Sequence, residues 1–183
     1  MHAIQSWVAL PREEEEVSPL FTHHPGADLP VQQEGGVWMR LLAGEAFGLR
    51  SAVRTLSPLF YLHVALESGA RVALPRQYSE RGAYLVAGEV SADGQAVEAG
   101  HMMVFDRGAP AVVAAAAPSI LMLLGGEPLG RRFIEWNFVS SSRERIEQAK
   151  ADWRGGRMKL PDGDNSEFIP LPQGTQASAG PMS

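Results

Sequence analysis

The segment GARVALPRQYSERGAYLVAG, Gly69–Gly88, carries two runs suited to a pleated sheet, Arg71–Leu74 and Ala83–Ala87. Glycines stand at both ends, and a polar stretch opening with Pro75 lies between the runs, so the segment reads as strand, loop, strand. The same rhythm continues outward in Ile4–Leu10, Val37–Ala43, Leu59–Leu66, Ala96–Glu98, Met102–Phe105, Val112–Ala115 and Ile120–Leu124. Such short apolar and β-branched runs, recurring roughly every 8–12 residues with Gly and Pro between them, predict an all-β sandwich or barrel. In Leu59–Leu66, period 2 puts Phe60, Leu62, Val64 and Leu66 on one face, the better core face, and His63 on the other.

Composition bounds the remainder. The chain has 183 residues, is 45% apolar and has a formal charge of -5, which suits one well-buried domain with additions. Without a basic run, direct nucleic-acid binding is not expected. There is no cysteine, so disulfides, thiolate zinc sites and cysteine nucleophiles are excluded, and any metal chemistry must use His, Asp or Glu. The longest apolar stretch, Ala109–Leu124, is broken by Pro110 and Pro118 and is shorter than the roughly 20 residues of a membrane span. No membrane association and a cytoplasmic location are the expectations.

After Gly125 and Gly126 the pattern becomes helical. Ser141 and Glu144 have capping-box spacing, and Ile146, Ala149 and Trp153 recur at helical intervals before Gly155. The helix is expected to pack by this narrow stripe, with Arg143, Glu147 and Lys150 solvated. Phe168 and Ile169 are expected to clip an extended segment onto the body, and residues 173–183 to be a disordered tail. The acidic run Glu13–Glu16 reads as a solvated loop, Arg131-Arg132 as a pair facing that run or an anion, and His23-His24 as part of a linker.

The interval from Gly69 to Gly88 resembles the first motif of the cupin family of small β-barrels, Gly, five residues, His-x-His, three or four residues, Glu, six residues, Gly. The ligand positions then fall on Pro75, Gln77 and Arg81, and in EAGHMMVFDRG the fourth falls on Met103. Proline has no side-chain donor, an amide is a poor ligand, a guanidinium repels a cation, and a thioether alone would not hold iron, zinc or manganese. A displaced site could use His63 and His101, the latter on the strand parity of Met103.

A more specific resemblance lies in IQSWVALP (4–11), VWMRLLAGEAFGLRSAVRT (37–55), PLFYLHVAL (58–66) and GGEPLGRRFIEWNFVSSSRERIEQAKADWRGGR (125–157) with FIPLP (168–172). In this order they resemble bacterial pirins over Ile4 to about Pro172. Pirins are bicupins with an RmlC-like jelly-roll fold. An iron centre of three His and one Glu lies in the N-terminal barrel and usually none in the C-terminal one; some members are similar in activity to quercetin 2,3-dioxygenase, others are transcriptional co-regulators.

The resemblance implies a cupin-type β-barrel (jelly roll) with one C-terminal helix. It divides the chain into a remnant strand and connector (1–36), the C-terminal cupin (37–130), helix and clip (131–172) and tail (173–183). IQSWVALP would be the closing strand of the first barrel, most of which is then missing, and no His-x-His occurs in the chain. The expectation is a chain with no cofactor of its own, whose interdomain face pairs with a second copy, a separate N-terminal cupin or a regulatory protein. The alternative is an iron oxygenase of the quercetin 2,3-dioxygenase type, completed by that first barrel or by a displaced site.

Overall fold

The alternation along Leu59–Leu66 sets up the middle of the larger sheet. The computed structural model describes residues 3–172, and these cluster into two units, one spanning Ser18–Pro128 and one made of the residues through Val17 and from Leu129 onward. The first contains β1 (Val31–Glu34), β2 (Val37–Ala46), β3 (Leu49–Arg50), β4 (Leu59–Leu66), β5 (Arg71–Ala73) and β6 (Glu80–Ala87). It continues with β7 (Val90–Ala92), β8 (Gln95–Val97), β9 (Met102–Phe105), β10 (Val112–Ala115) and β11 (Ser119–Gly126).

These strands form two antiparallel sheets, ordered β1-β2-β4-β11-β6-β9, with β3 on the end of β2, and β5-β10-β7-β8. The fold is all-β, as the strand rhythm predicts, and is the cupin jelly roll that the resemblance implies. Along β4 burial alternates strictly, with Phe60, Leu62, Val64 and Leu66 inside. They meet Leu121 and Leu123 of β11 and Leu85 of β6 on one side of the core, and Val72, Val90 and Val113 of the smaller sheet on the other. Full burial of such a side chain contributes about 1.5–3 kcal/mol, so this core carries most of the unit's stability.

One glycine is required by a close approach. Register shifts between Leu41 and Ala43, and Gly44 follows with φ +77°; a Cβ there would stand 1.8 Å from the Leu59 carbonyl oxygen.

The second unit contains the hairpin β12 (Phe133–Glu135) and β13 (Phe138–Ser140), followed by α1 (Arg143–Arg154), which ends at Gly155. Trp153 of α1 stacks edge-on with Trp136 at 5.4 Å and with Phe168 at 5.8 Å. Its indole N–H donates to the Ile169 carbonyl at 3.0 Å, which gives the expected clip a ring contact and a hydrogen bond.

Several expectations are corrected. Ile4–Leu10 is not a strand: a strand exists only through its pairing, none pairs with this segment among the described residues, and Trp7 is 55% exposed. The N-cap is Ser142, whose Oγ accepts from the Arg145 N–H at 3.2 Å, while Ser141 is taken by Glu15. Lys150 is buried rather than solvated, because Glu135 of β12 supplies a buried carboxylate for it. The run Glu13–Glu16 is not simply solvated, since Glu15 pairs with Arg132 and Glu16 with Arg145. The tail, 173–183, lies outside the described residues.

The cap has a measurable consequence. Ser142→Ala is expected to cost about 1 kcal/mol of helix stability, read as a shifted urea midpoint in the circular dichroism of α1. Among the described residues no helix is long and apolar enough to cross a membrane.

Candidate functional site

Two strands position the inward-facing residues at the candidate metal locus. In β6 and β9 the partners are Arg81 with Phe105 and Ala83 with Met103, so Arg81 and Met103 both face the core, 4% and 9% exposed. The Arg81 guanidinium donates through Nη2 to the carbonyls of Asp106 at 3.0 Å and Ala109 at 2.7 Å. It thereby fastens the turn after β9 to the start of β6. Its buried Nε has no partner among the described residues.

The other two positions diverge. β5 ends at Ala73, a turn follows, and Pro75 is buried while Gln77 is exposed. On a continuous strand residues two apart would share a face, but the turn breaks that relation. The next residue, Tyr78, closes this end of the core: its ring lies 5.1 Å from Phe60, and its hydroxyl lies 2.7 Å from the Glu45 carbonyl and 3.2 Å from that of Leu59. Burial, with the charges of Glu45 and Glu127, pushes the Tyr78 hydroxyl above its ordinary pKa, so it stays a neutral donor. Sequence reasoning missed Tyr78; its place beside Gln77 was the available signal.

The resemblance to pirins implies an iron held by imidazole and carboxylate in a first barrel. A buried guanidinium, a proline, a solvent-facing amide and a thioether do not fit that ion. At the Arg81 position a guanidinium stands where the motif has a carboxylate.

His63 and His101 are not brought together. His63 lies on β4 and His101 just before β9, with β11 and β6 between those strands, a separation of about 14 Å at normal strand spacing. The His63 ring packs edge-on against Trp38 at 5.3 Å; burial, then the charge of Arg40, holds its pKa below the usual value, so it is neutral at neutral pH. His101 is exposed, with Nδ1 3.1 Å from the Glu98 carbonyl. Among the described residues no group of three or more His, Asp or Glu is placed to hold a metal.

The broad feature of this unit is the outer face of its larger sheet. Val31, Arg40, His63, Met122, Tyr84 and Met102 are successive cross-strand partners from β1 to β9. Ile120 and Val104 share the face by parity; Met102 is 49% and Val104 82% exposed. The exposed apolar residues are Val31 on β1, Ile120 on β11, and Met102 and Val104 on the open edge strand β9, while Arg40 and His63 interrupt the row and Met122 is buried. An exposed apolar edge such as that of β9 is the kind of surface that marks association.

A two-sheet antiparallel jelly roll, with Arg81 and Met103 facing its core, defines the cupin class of β-barrel. Residues 61–159 match the Pirin C-terminal cupin domain, and the chain belongs to the pirin family. It is 59% identical over 174 residues to a pirin-like protein of Caulobacter vibrioides, covering 94% of this chain and 60% of that protein. Human pirin is 30% identical over 165 residues, covering 85% of this chain and 57% of that protein. A solved structure of quercetin 2,3-dioxygenase from Acinetobacter baumannii superposes with a TM-score of 0.77 at 28% identity, covering 94% of this chain and 60% of that one. The chain therefore spans about three fifths of the length of these proteins.

Proposed function

We propose that this chain is a metal-free pirin-type cupin that acts by pairing and binding, as a domain-pairing or regulatory module, through the outer face of its larger sheet. The observation that carries the reading is Arg81, buried at an inward ligand position and committed to two backbone carbonyls. The exposed apolar edge at Met102 and Val104 supplies the surface. In this reading a second copy of the chain covers that face, and a separate N-terminal cupin or a regulatory protein competes for it. Nucleic acid is not bound directly, and the protein works in the cytoplasm.

Light scattering is expected to give the mass of a dimer for the purified chain and of a monomer for Val104→Glu, with unchanged circular dichroism. Elemental analysis after incubation with ferrous iron is expected to find no stoichiometric metal, and oxygen uptake with a flavonol to stay at the blank. Iron retained in proportion to chain and lost in His63→Ala or His101→Ala would sink the metal-free reading. A parent chain that is already monomeric would sink self-pairing.

The likeness to quercetin 2,3-dioxygenase favours one alternative reading. The iron centre would then be supplied by an N-terminal cupin like that of the longer relatives, and this chain would support it. Flavonol-dependent oxygen uptake that appears when such a cupin is added, and not with this chain alone, would select that reading.

A further inference from the structure

We infer that β9 is the edge at which two copies of this chain pair, antiparallel and in one register, so that their larger sheets run on as one across a twofold axis at Met103. This pairing rests on the proposed self-association and gives it a geometry. β6 holds β9 on one side, and among the described residues no strand pairs with its other side. The other edges are protected against such addition. β1, at the far side of the same sheet, carries Gln32, Gln33 and Glu34, and the smaller sheet ends in the three-residue strands β5 and β8, which bring Arg71 and Gln95. β9 reads Met-Met-Val-Phe and pairs with β6 without a register shift. It has none of the charges, prolines or bulges that guard natural edges.

The backbone fixes which groups face outward. The Leu85 N–H donates to the His101 carbonyl at 3.0 Å, one step beyond the pair Tyr84 and Met102. Hydrogen-bonded and non-hydrogen-bonded pairs alternate along an antiparallel ladder. Met103 and Phe105 therefore bond to Ala83 and Arg81, while the N–H and C=O groups of Met102 and Val104 point away from β6. None of these four outward groups has a partner among the described residues. The side chains of the same two residues are the exposed ones, 49% and 82%, whereas those of Met103 and Phe105 are buried.

Two donors and two acceptors, repeated at an interval of two residues, form a self-complementary set. With the copies antiparallel about Met103, Met102 meets the partner's Val104 and Val104 meets the partner's Met102, so the outward groups of both copies are satisfied in two hydrogen-bonded pairs. A shift of one residue would set outward groups against inward ones, and a shift of two would leave a single pair. Each pair also places an exposed methionine beside an exposed valine on the outer face, the cross-strand contact that stabilises a sheet. Pairing about a twofold axis uses up the edge of both copies and closes the assembly at a dimer.

The full chain has no cysteine, so introduced ones report the register. When Met102→Cys chains are mixed with Val104→Cys chains and oxidised, a disulfide-linked dimer is expected, because hydrogen-bonded partners stand about 5.5 Å apart, within the reach of a disulfide. Either variant alone is expected to stay unlinked, because like positions are diagonal neighbours about 7–8 Å apart, past that reach. Val104→Pro keeps an apolar side chain and removes one outward N–H that β6 does not use, a place where an edge strand tolerates proline. It is expected to be monomeric by light scattering with unchanged circular dichroism; if it does not fold, the cysteine mixture decides. A dimeric parent whose mixture links no faster than the single variants, or whose folded Val104→Pro form stays dimeric, would overturn edge pairing and leave the proposed self-association standing. A monomeric parent would overturn both. The iron measurements are independent of all these outcomes.

Discussion

Arg81→Glu is expected to leave too little stability for the first unit to fold, whereas Arg81→Met is expected to fold with a loss of about 2–4 kcal/mol. Arg81 is 4% exposed and donates to the Asp106 and Ala109 carbonyls. Methionine keeps the volume of the aliphatic stem and leaves two oxygens near a partly exposed turn, where water can take over some of the bonding. Glutamate instead directs a carboxylate from a buried position at the same two carbonyl oxygens, with no cation to receive it. Burying an unpaired charge is among the few mechanisms that reach about 4–5 kcal/mol, comparable with the total of about 5–15 kcal/mol that a small domain has.

The measurement is a urea titration followed by the near-ultraviolet signal of the core aromatics, with added ferrous iron as a second arm. If Arg81→Glu folds and iron raises its midpoint, the locus is still a metal site and Arg81 merely blocks it. If it unfolds with or without iron, the guanidinium has become a structural clasp. The second outcome is expected because Pro75 and Gln77 no longer share a face, so one restored carboxylate meets no other ligand.

The contrast between Arg81 and its neighbours shows what the sequence could carry. Its place at a ligand position follows from the resemblance of the interval Gly69–Gly88 to the first cupin motif. Its partners are 25 and 28 residues away, in a turn whose carbonyls carry no side-chain signature. β4 was legible because burial of one face imposes strict alternation over eight residues. β1 was missed because Val31–Glu34 is a polar edge strand; the readable signal was the turn Gly35-Gly36, both with positive φ, that pairs it with β2. β7 was missed in the same way, although Asp93-Gly94 marks its hairpin with β8. In α1 the stripe Ile146 and Ala149 was evident, but the burial of Lys150 depended on Glu135 arriving from another element. The reading of Ile4–Leu10 as a strand failed because propensity is local while strand formation needs a neighbour.

That segment frames the other large effect, expected of Glu15→Ala. The Glu15 carboxylate lies 2.9 Å from Arg132 Nε in an ion pair and accepts from Ser140 Oγ at 2.9 Å, Ser141 Oγ at 3.0 Å and the Ser141 N–H at 3.0 Å. Arg132 Nη2 in turn donates to the Leu10 carbonyl at 2.7 Å. One ion pair, with side chains 8% and 13% exposed, therefore ties the residues before η1 (Arg12–Glu14) to the hairpin and the start of α1. Removing one partner of a buried pair strands the other, at about 3–5 kcal/mol. Glu16→Ala removes a contact of 2.5 Å to Arg145 but an exposed one, and should matter little. The pH dependence separates the two further. Burial alone would raise the Glu15 pKa, but the Ser141 and Ser140 hydrogen bonds and the charge of Arg132 outweigh it and hold it below the ordinary carboxylate value. A depressed folded-state pKa means that the stabilisation is present above the unfolded value, about 4.3, and is lost as pH falls through the folded one. The gap between parent and Glu15→Ala urea midpoints, followed by the helix signal, should be full at pH 7 and close in acid. Because Leu10 is held through Arg132, the exposed Ile4, Trp7 and Val8 should gain mobility in the variant, seen as faster hydrogen exchange from residue 4 to 10. Equal losses for Glu15→Ala and Glu16→Ala, or a gap that persists in acid, would show that the segment is held by something other than this carboxylate.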